Sequence, residues 1–462
     1  MSAIYAPDET ARAPVPAMPP RPARRLSTFA LLKAASTNSL AACDEELFDE
    51  LFVARRYFGQ RVYFISEPEG IKRVFLDNFD NYPRVARIRR LFEEGLGTGS
   101  LAVEGETWWR HRRLAAPTVD HRAFMADIPS MIALTEKRAD ELARDYLERE
   151  IDAEDWIGRL MIELWNHVVT GGNPEAVTML DCLAKFPRKP QLADFLPVSR
   201  WFDPFRPRNE RQESVIACDD LLYSLIDARL DPGYSGPHDL IWRLAHTQDR
   251  KTGDRFTRTE IRDECASVIT GGIAPSLRTL TWVWYLLALH PLVETKLHAE
   301  LDRVLEGRAL QAADVPKLTY ARQVIDETMR IYPPFPGILR ESVAADMVCG
   351  HPVAGNSVIA ILPWVVHRHR RLWTDPDRFD PERFSAGNSA GRHRFAYVPF
   401  AGGPRVCAGA SFAMSEMLIV LAVLARRFRL LPVAGHPIVP VGRISLQPQG
   451  GMIVTVERRA QA

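Results

Sequence analysis

In the segment Phe400-Ala-Gly-Gly403-Pro-Arg405-Val-Cys407-Ala-Gly409, a cysteine, an arginine, an aromatic and three glycines are set close together. Cys407 stands just before a stretch that reads as helix. Backbone N–H groups and the positive helix end favour a thiolate there. A thiolate donates strongly to iron and pushes electron density onto it, which favours O–O bond cleavage. Gly403 and Gly409 allow a tight turn and close approach by a flat macrocycle. Arg405 can make charge-assisted hydrogen bonds to a carboxylate of that macrocycle. Phe400 can pack against the sulfur and shield it from water. A lone cysteine is usually a small buried hydrophobe; the agreement among its neighbours displaces that reading.

Other segments have spacings with their own chemistry. Glu327 and Arg330 lie three apart and share a helix face, although such a pair alone is usually a weak surface pair. Trp108 and Arg112 share a face one turn apart. Tyr332-Pro333-Pro334 and Pro381-Glu382-Arg383-Phe384 follow in the chain. In this order the segments resemble the Trp-x-x-x-Arg, Glu-x-x-Arg, Pro-Glu-Arg-Phe and Phe-x-x-Gly-x-Arg-x-Cys-x-Gly motifs of the cytochrome P450 family. The resemblance runs from about Leu26 to Arg459.

The resemblance implies a mainly α fold, with a large helical domain and a small β-rich subdomain. Haem b would sit between the long central helix and the helix after the cysteine loop. Cys407 would be the axial iron ligand, packed by Phe400. Trp108, Arg112, Arg340 and Arg405 would donate to the propionates. Glu327, Arg330 and Arg383 would form a structural cluster behind the haem, needed for haem loading. The substrate pocket would draw on Arg84–Leu101, Lys185–Phe205, the central helix near Thr270–Ala274 and the turn Pro334–Leu339. Phe335, Ile338 and Leu339 are its named residues, and their apolar character suggests an apolar substrate.

One stretch departs from the pattern. The family's central helix carries an acid and an alcohol that help deliver protons to dioxygen. Here the stretch is Thr270-Gly271-Gly272-Ile273-Ala274-Pro275-Ser276. Ala274 stands at the acid position and Pro275 at the alcohol position, and neither can donate a proton. Pro275 also lacks an N–H and crowds the carbonyl of Gly271, so a kink is expected. Ser276 or Thr270, with ordered water, could carry protons instead, or a polar group on the substrate could. Peroxide-using relatives carry an Arg-Pro pair at these positions; this chain keeps the proline and lacks the arginine. Arg278, one turn on, is expected to point to a neighbouring helix or solvent.

These residues need a frame. The capping-box spacing of Thr257 and Glu260 marks a helix start, and the pattern runs to His290, before Pro291. At ~1.5 Å per residue such a helix is about 50 Å long. Further helices are expected over Leu318–Ile331 and from Cys407 to about Phe428. Strands are expected at Arg61–Ser66, Ser357–Leu362 and Met452–Glu457, forming a minor sheet from both chain ends. Gly95-Leu-Gly97-Thr-Gly99 lacks the last glycine of a dinucleotide fingerprint and reads as a flexible loop near the substrate mouth.

Composition sets the outer bounds. The 462 residues are 46% hydrophobic and 25% charged, with 59 basic and 58 acidic side chains. That excludes a disordered or collagen-like chain and gives no global field for nucleic acid. Six scattered cysteines without a CxxC pair argue against zinc and fit a reducing compartment. Residues 1–25 read as a disordered, Pro-rich tail, and residues 26–462 as a single haem-thiolate domain. No membrane anchor is expected, and the reading is a cytoplasmic monomer. No flavin or iron–sulfur module is read, so electrons from NAD(P)H are expected through a ferredoxin or flavodoxin with its reductase. Arg110, His111 and Arg113 are the expected docking charges for an acidic partner.

The reaction expected is hydroxylation or epoxidation of a small apolar molecule with O₂. The replaced acid and alcohol keep two alternatives open: a peroxide-driven oxygenase or other haem-thiolate catalyst, and a non-catalytic haem- or ligand-binding protein.

Overall fold

The computed structural model describes residues 14–57, 59–185 and 218–460. The helices used below are α1 (Thr28–Thr37), α2 (Gly105–Ala115), α3 (Ile128–Asp145), α4 (Ala153–Thr170), α5 (Ala176–Ala184), α6 (Asp219–Leu230), α7 (Arg258–Leu289), α8 (Thr319–Ile331) and α9 (Ala410–Ala425). α7 is the long central helix, and its 32 residues span about 48 Å at ~1.5 Å each. The Thr257 hydroxyl accepts the Glu260 N–H while the Glu260 carboxylate accepts the Thr257 N–H at 2.8 Å, so the expected capping box is formed. α7 packs against α4, α5, α6, α8 and α9.

The helix runs unbroken through Pro275; the expected kink does not interrupt it. The missing N–H still leaves the Gly271 carbonyl without its intrahelical i+4 donor. Gly403–Ala425 is long and apolar enough to cross a bilayer. Within it, α9 is buried from Met417 to Ala425 and packs on α3 and α7. A helix apolar on all sides belongs in a core.

The strands form more than the one sheet expected. β1 (Phe52–Tyr57), β2 (Gln60–Ile65), β4 (Ile338–Ser342) and β5 (Ser357–Ile361) make a four-stranded sheet in the order β1-β2-β5-β4. β3 (Glu150–Asp152), β6 (Phe428–Pro432) and β7 (Ile453–Arg458) make a separate antiparallel sheet in the order β3-β7-β6. The two chain ends therefore enter different sheets. β2 finds its partner in β5, and β7 finds its partners in β3 and β6.

The Pro-rich segment is also corrected. Residues 1–13 lie outside the described residues, but Ala17 and Arg21 are held against the fold. Ala17 N–H donates to the Tyr285 hydroxyl at 3.1 Å, and the Tyr332 hydroxyl donates to the Ala17 carbonyl at 2.7 Å. Arg21 pairs with Asp377 and lies 4.0 Å over the Phe48 ring. Buried hydroxyls require partners, and this segment supplies them to both tyrosines.

Candidate functional site

The cysteine loop closes on itself, with Cys407 N–H donating to the Phe400 carbonyl at 3.0 Å. Gly403 sits at φ +65°, and a Cβ there would lie 1.7 Å from the Phe75 carbonyl oxygen. The backbone of residues 73–77 therefore demands this glycine, in place of the expected macrocycle contact. Gly409 differs, since a Cβ there would meet nothing within 4 Å. Ala401, between Phe400 and Gly402, takes the left-handed region at φ +59° without being glycine. Cys407 is exposed. Burial of its surroundings raises the thiol pKa, while the Gly409 N–H and the Arg112 charge pull it down. The expected thiolate-favouring groups are present, and they do not outweigh burial.

Arginines converge beside this loop. Arg405 is buried, pairs with Glu104 and lies 4.0 Å over the Trp108 ring. Its Nε and Nη1 are buried with no partner. Arg340 is buried on β4 and Arg112 faces Cys407. Burial pushes Arg340 down to about 10 and Arg405 down to about 9, with the Arg84 charge adding to both shifts. Glu104 escaped the sequence reading, and Arg84 entered it only as the start of a pocket segment. The Arg84 guanidinium donates to the Ser100 and Leu101 carbonyls at 3.0 and 2.8 Å, and its backbone bridges to Arg340. An uncovered cysteine, open space over Gly409 and two orphaned buried donors on Arg405 are what a haem with its propionates would satisfy. The residues fit the group.

The structural cluster is assembled as expected. Arg330 pairs with both oxygens of Glu327 at 2.6 and 2.7 Å, and both residues are fully buried. Arg330 also donates to the carbonyls of His367, Pro376 and Arg378, each at 2.7 Å. Arg383 approaches Glu327 at 3.4 Å and donates to the Asp375 carbonyl. The cluster ties α8 to the strand-poor segment that leads into the cysteine loop.

The α7 side is arranged differently. Gly271 is exposed and Ala274 and Pro275 are half-buried, whereas Ile273 and Ser276 are buried. A helix packed on all sides thus has an open face at the motif. Gly272 lies against Trp165 of α4, and a Cβ there would sit 2.1 Å from the indole ring, so its observed contact is packing. The Thr270 hydroxyl donates to the Leu183 carbonyl of α5 at 3.0 Å. Arg278 pairs with Glu154 of α4, as expected of a helix-facing residue. Ser276 faces Glu416 of α9. The Glu416 carboxyl is wholly buried, and burial pushes it up to about 8 against the pull of Ser276 and the Trp165 N–H. These three groups lie side by side without closing a hydrogen bond.

The glycine loop is stapled, in contrast to the flexible loop expected. Asp263 accepts Thr98 N–H at 2.7 Å and its hydroxyl at 3.0 Å, and Glu264 accepts Ser100 N–H at 2.8 Å. A Cβ on Gly97 would strike the Asp263 carboxylate. Burial pushes Glu264 up to about 7.

The pocket and docking residues sort as follows. Phe335 is 36% exposed, and Ile338 and Leu339 are half-buried. Both Ile338 and Leu339 lie on β4, where alternation puts Ile338 on the Arg340 face and Leu339 on the other. Lys185 ends the described part of one expected pocket segment; 186–205 lie outside the described residues. Of the expected docking residues, one is buried and two are ion-paired at the surface. His111 is fully buried, 3.5 Å from Glu260. Arg110 pairs with Glu260 at 2.6 Å and Arg113 with Asp249 at 2.6 Å. The Arg110 and Arg113 pairs, both partly exposed, hold α2 to α7 and the preceding loop.

With this geometry in hand, the comparisons are specific. The cytochrome P450 family model matches residues 19–455. Cyclooctatin synthase of Streptomyces melanosporofaciens is 30% identical over 406 residues, 83% of this chain and 84% of that protein. Alkane hydroxylase MAH1 of Arabidopsis thaliana is 25% identical, covering 87% of this chain and 85% of that one. The haem domain of cytochrome P450DA superposes with a TM-score of 0.79 at 20% identity, over 97% of this chain and 98% of that one. A near-complete family match, a shared fold, and a cysteine loop backed by the Glu327–Arg330 lock lead to one conclusion: the chain belongs to the cytochrome P450 family.

Proposed function

We propose that this cytochrome P450 is a monooxygenase that uses O₂ and electrons from a separate redox partner to hydroxylate or epoxidise a small, largely apolar molecule. The observation that carries the reading is the uncovered Cys407 beside an Arg405 with two buried, unpartnered N–H groups. Cys407 would hold the iron, while Trp108, Arg112, Arg340 and Arg405 would hold the two carboxylates of the macrocycle. Bound there, haem supplies the thiolate-ligated iron at which dioxygen is activated. The apolar turn around Phe335 and Ile338 supports an apolar substrate. So do the names of two relatives: the alkane hydroxylase above, and a cyclooctat-9-en-7-ol 5-monooxygenase that is 35% identical over 43% of this chain.

Proton supply must avoid Ala274 and Pro275. Glu416 carries a proton at neutral pH, because burial pushes it to about 8. Ser276, next to Pro275 on α7, stands beside it, and ordered water would link this pair to the open face of α7. Electrons would come from NAD(P)H through a ferredoxin or flavodoxin with its reductase.

Ala274 and Pro275 also favour a second reading, in which peroxide brings its own protons and oxygen. Product formed with NAD(P)H and a redox pair is to be compared with product formed with hydrogen peroxide alone. The monooxygenase reading expects turnover with reductant well above that with peroxide. Turnover with peroxide and none with reductant establishes the second reading.

A further inference from the structure

In an α-helix each carbonyl accepts the N–H four residues further on. Pro275 has no N–H, so the Gly271 carbonyl lacks that donor in the middle of α7. Its neighbours do not replace it. The Ser276 hydroxyl is buried and makes no hydrogen bond. The Thr270 hydroxyl is committed to the Leu183 carbonyl at 3.0 Å. The Arg278 guanidinium turns to Glu154. Among the described residues, no side chain and no backbone N–H from outside α7 donates to the Gly271 oxygen.

This oxygen lies on the open face of α7. Gly271, Ala274, Pro275 and Arg278 recur at the three- and four-residue spacings of one helix face. Gly271 is exposed and Ala274 and Pro275 are half-buried, while Ile269, Thr270, Ile273 and Ser276 around them are buried. Leu101 stands over this face, 3.8 Å from the point that a Gly271 Cβ would occupy. Leu101, Ala274 and Pro275 offer hydrocarbon, and the Gly271 oxygen is an acceptor set among them. Covering such an oxygen with hydrocarbon removes its water and supplies no donor, which is unfavourable. A ligand that brings an O–H avoids that penalty.

We infer that the Gly271 carbonyl, left free by Pro275, is a substrate-selecting site that takes an alcohol on a hydrocarbon skeleton. The O–H donates to the Gly271 oxygen, while the skeleton covers Leu101, Ala274 and Pro275. An ether or hydrocarbon of similar shape leaves that oxygen desolvated and unpaired, and is disfavoured. The inference rests on the monooxygenase reading for the place of the substrate, against the acid and alcohol positions of α7. It narrows that substrate from apolar molecules in general to apolar alcohols.

The test uses the full-length, haem-loaded protein and a panel of linear, cyclic and terpene alcohols, each with its methyl ether. Binding is read from the ligand-induced shift of the haem absorption band, so it does not depend on turnover. Alcohols that bind should do so about tenfold more tightly than their ethers. Pro275→Ala restores the N–H that the Gly271 carbonyl lacks, and the preference should then fall to about twofold or less. Pro275→Val restores the same N–H with bulk closer to that of proline, which separates the donor from a change of shape and guards against one variant that fails to fold. Both variants should keep the CO-difference spectrum of the parent. Equal binding of alcohols and ethers overturns the inference, as does a preference that survives both substitutions or a panel in which no alcohol binds. A protein that selects alcohols in this way but forms no product with reductant and a redox pair upholds the site and overturns the monooxygenase reading alone.

Discussion

On the Cys407 side, the Glu327–Arg330 pair is held by short, buried contacts, and Arg405 is buried beside Trp108 with a pair to Glu104. On the α7 side the acid and alcohol positions hold Ala274 and Pro275, and the acid nearest to Ser276 comes from α9. The first side is a scaffold, where loss of one partner leaves buried charge or bare carbonyls. The second is a packing compromise, in which Trp165 claims the space over Gly272 and α5 claims the Thr270 hydroxyl. The cysteine-loop side thus keeps the residues of the motif, while the α7 side differs from it and packs against groups from other helices.

The largest expected effect falls on the scaffold. Arg330→Ala leaves Glu327 buried without its countercharge and strips a donor from three carbonyls, at a cost of about 3–5 kcal/mol. Urea unfolding should show the loss and haem content should fall with it. A cost below ~1 kcal/mol would make the cluster an ordinary surface-type pair.

Next is Glu416. Its folded pKa of about 8 lies above the usual 4.5, so the folded protein binds the proton more tightly than the unfolded chain. The stability this gives is fully present below pH 4.5 and is lost as pH rises through 8, with a slope of at most ~1.4 kcal/mol per pH unit. Glu416→Gln should flatten that part of the stability profile and lower the fraction of reductant recovered as product. An unchanged profile would place the ionisation elsewhere.

The two adjacent glycines of α7 give a sharper contrast. Gly272→Ala should cost ~1–3 kcal/mol by pressing on Trp165, because the added Cβ would lie 2.1 Å from the ring. Gly271→Ala meets only Leu101, at 3.8 Å, and should stay within ~1 kcal/mol of the parent. Equal thermal shifts for the two would remove the packing explanation. The smallest effect expected is a gain: Ala401→Gly should add about 1 kcal/mol by relieving a left-handed φ of +59°.

What could be read from the sequence was what lay close together in it. The Glu327–Arg330 pair, the cysteine loop and the α7 capping box each span a few residues, and all three formed. What could not be read rests on distant pairings. Arg405 meets Glu104 across a separation of 301 residues, and Thr98 meets Asp263 across 165. Glu416 meets Ser276 only once α9 packs on α7. The ion pairs of Arg110 with Glu260 and of Arg113 with Asp249 were hidden for the same reason. The Pro-rich segment lacks helix or strand signals, yet it docks because Tyr285 and Tyr332 need partners.

The assignment of Cys407 as the iron ligand underlies both halves of this comparison. The most direct measurement is the absorption spectrum of the reduced, CO-bound protein, parent against Cys407→Ala. The parent should show the strongly red-shifted band of a thiolate-ligated haem, and the variant should lack it. A Cys407→Ala protein that keeps that band would contradict the assignment.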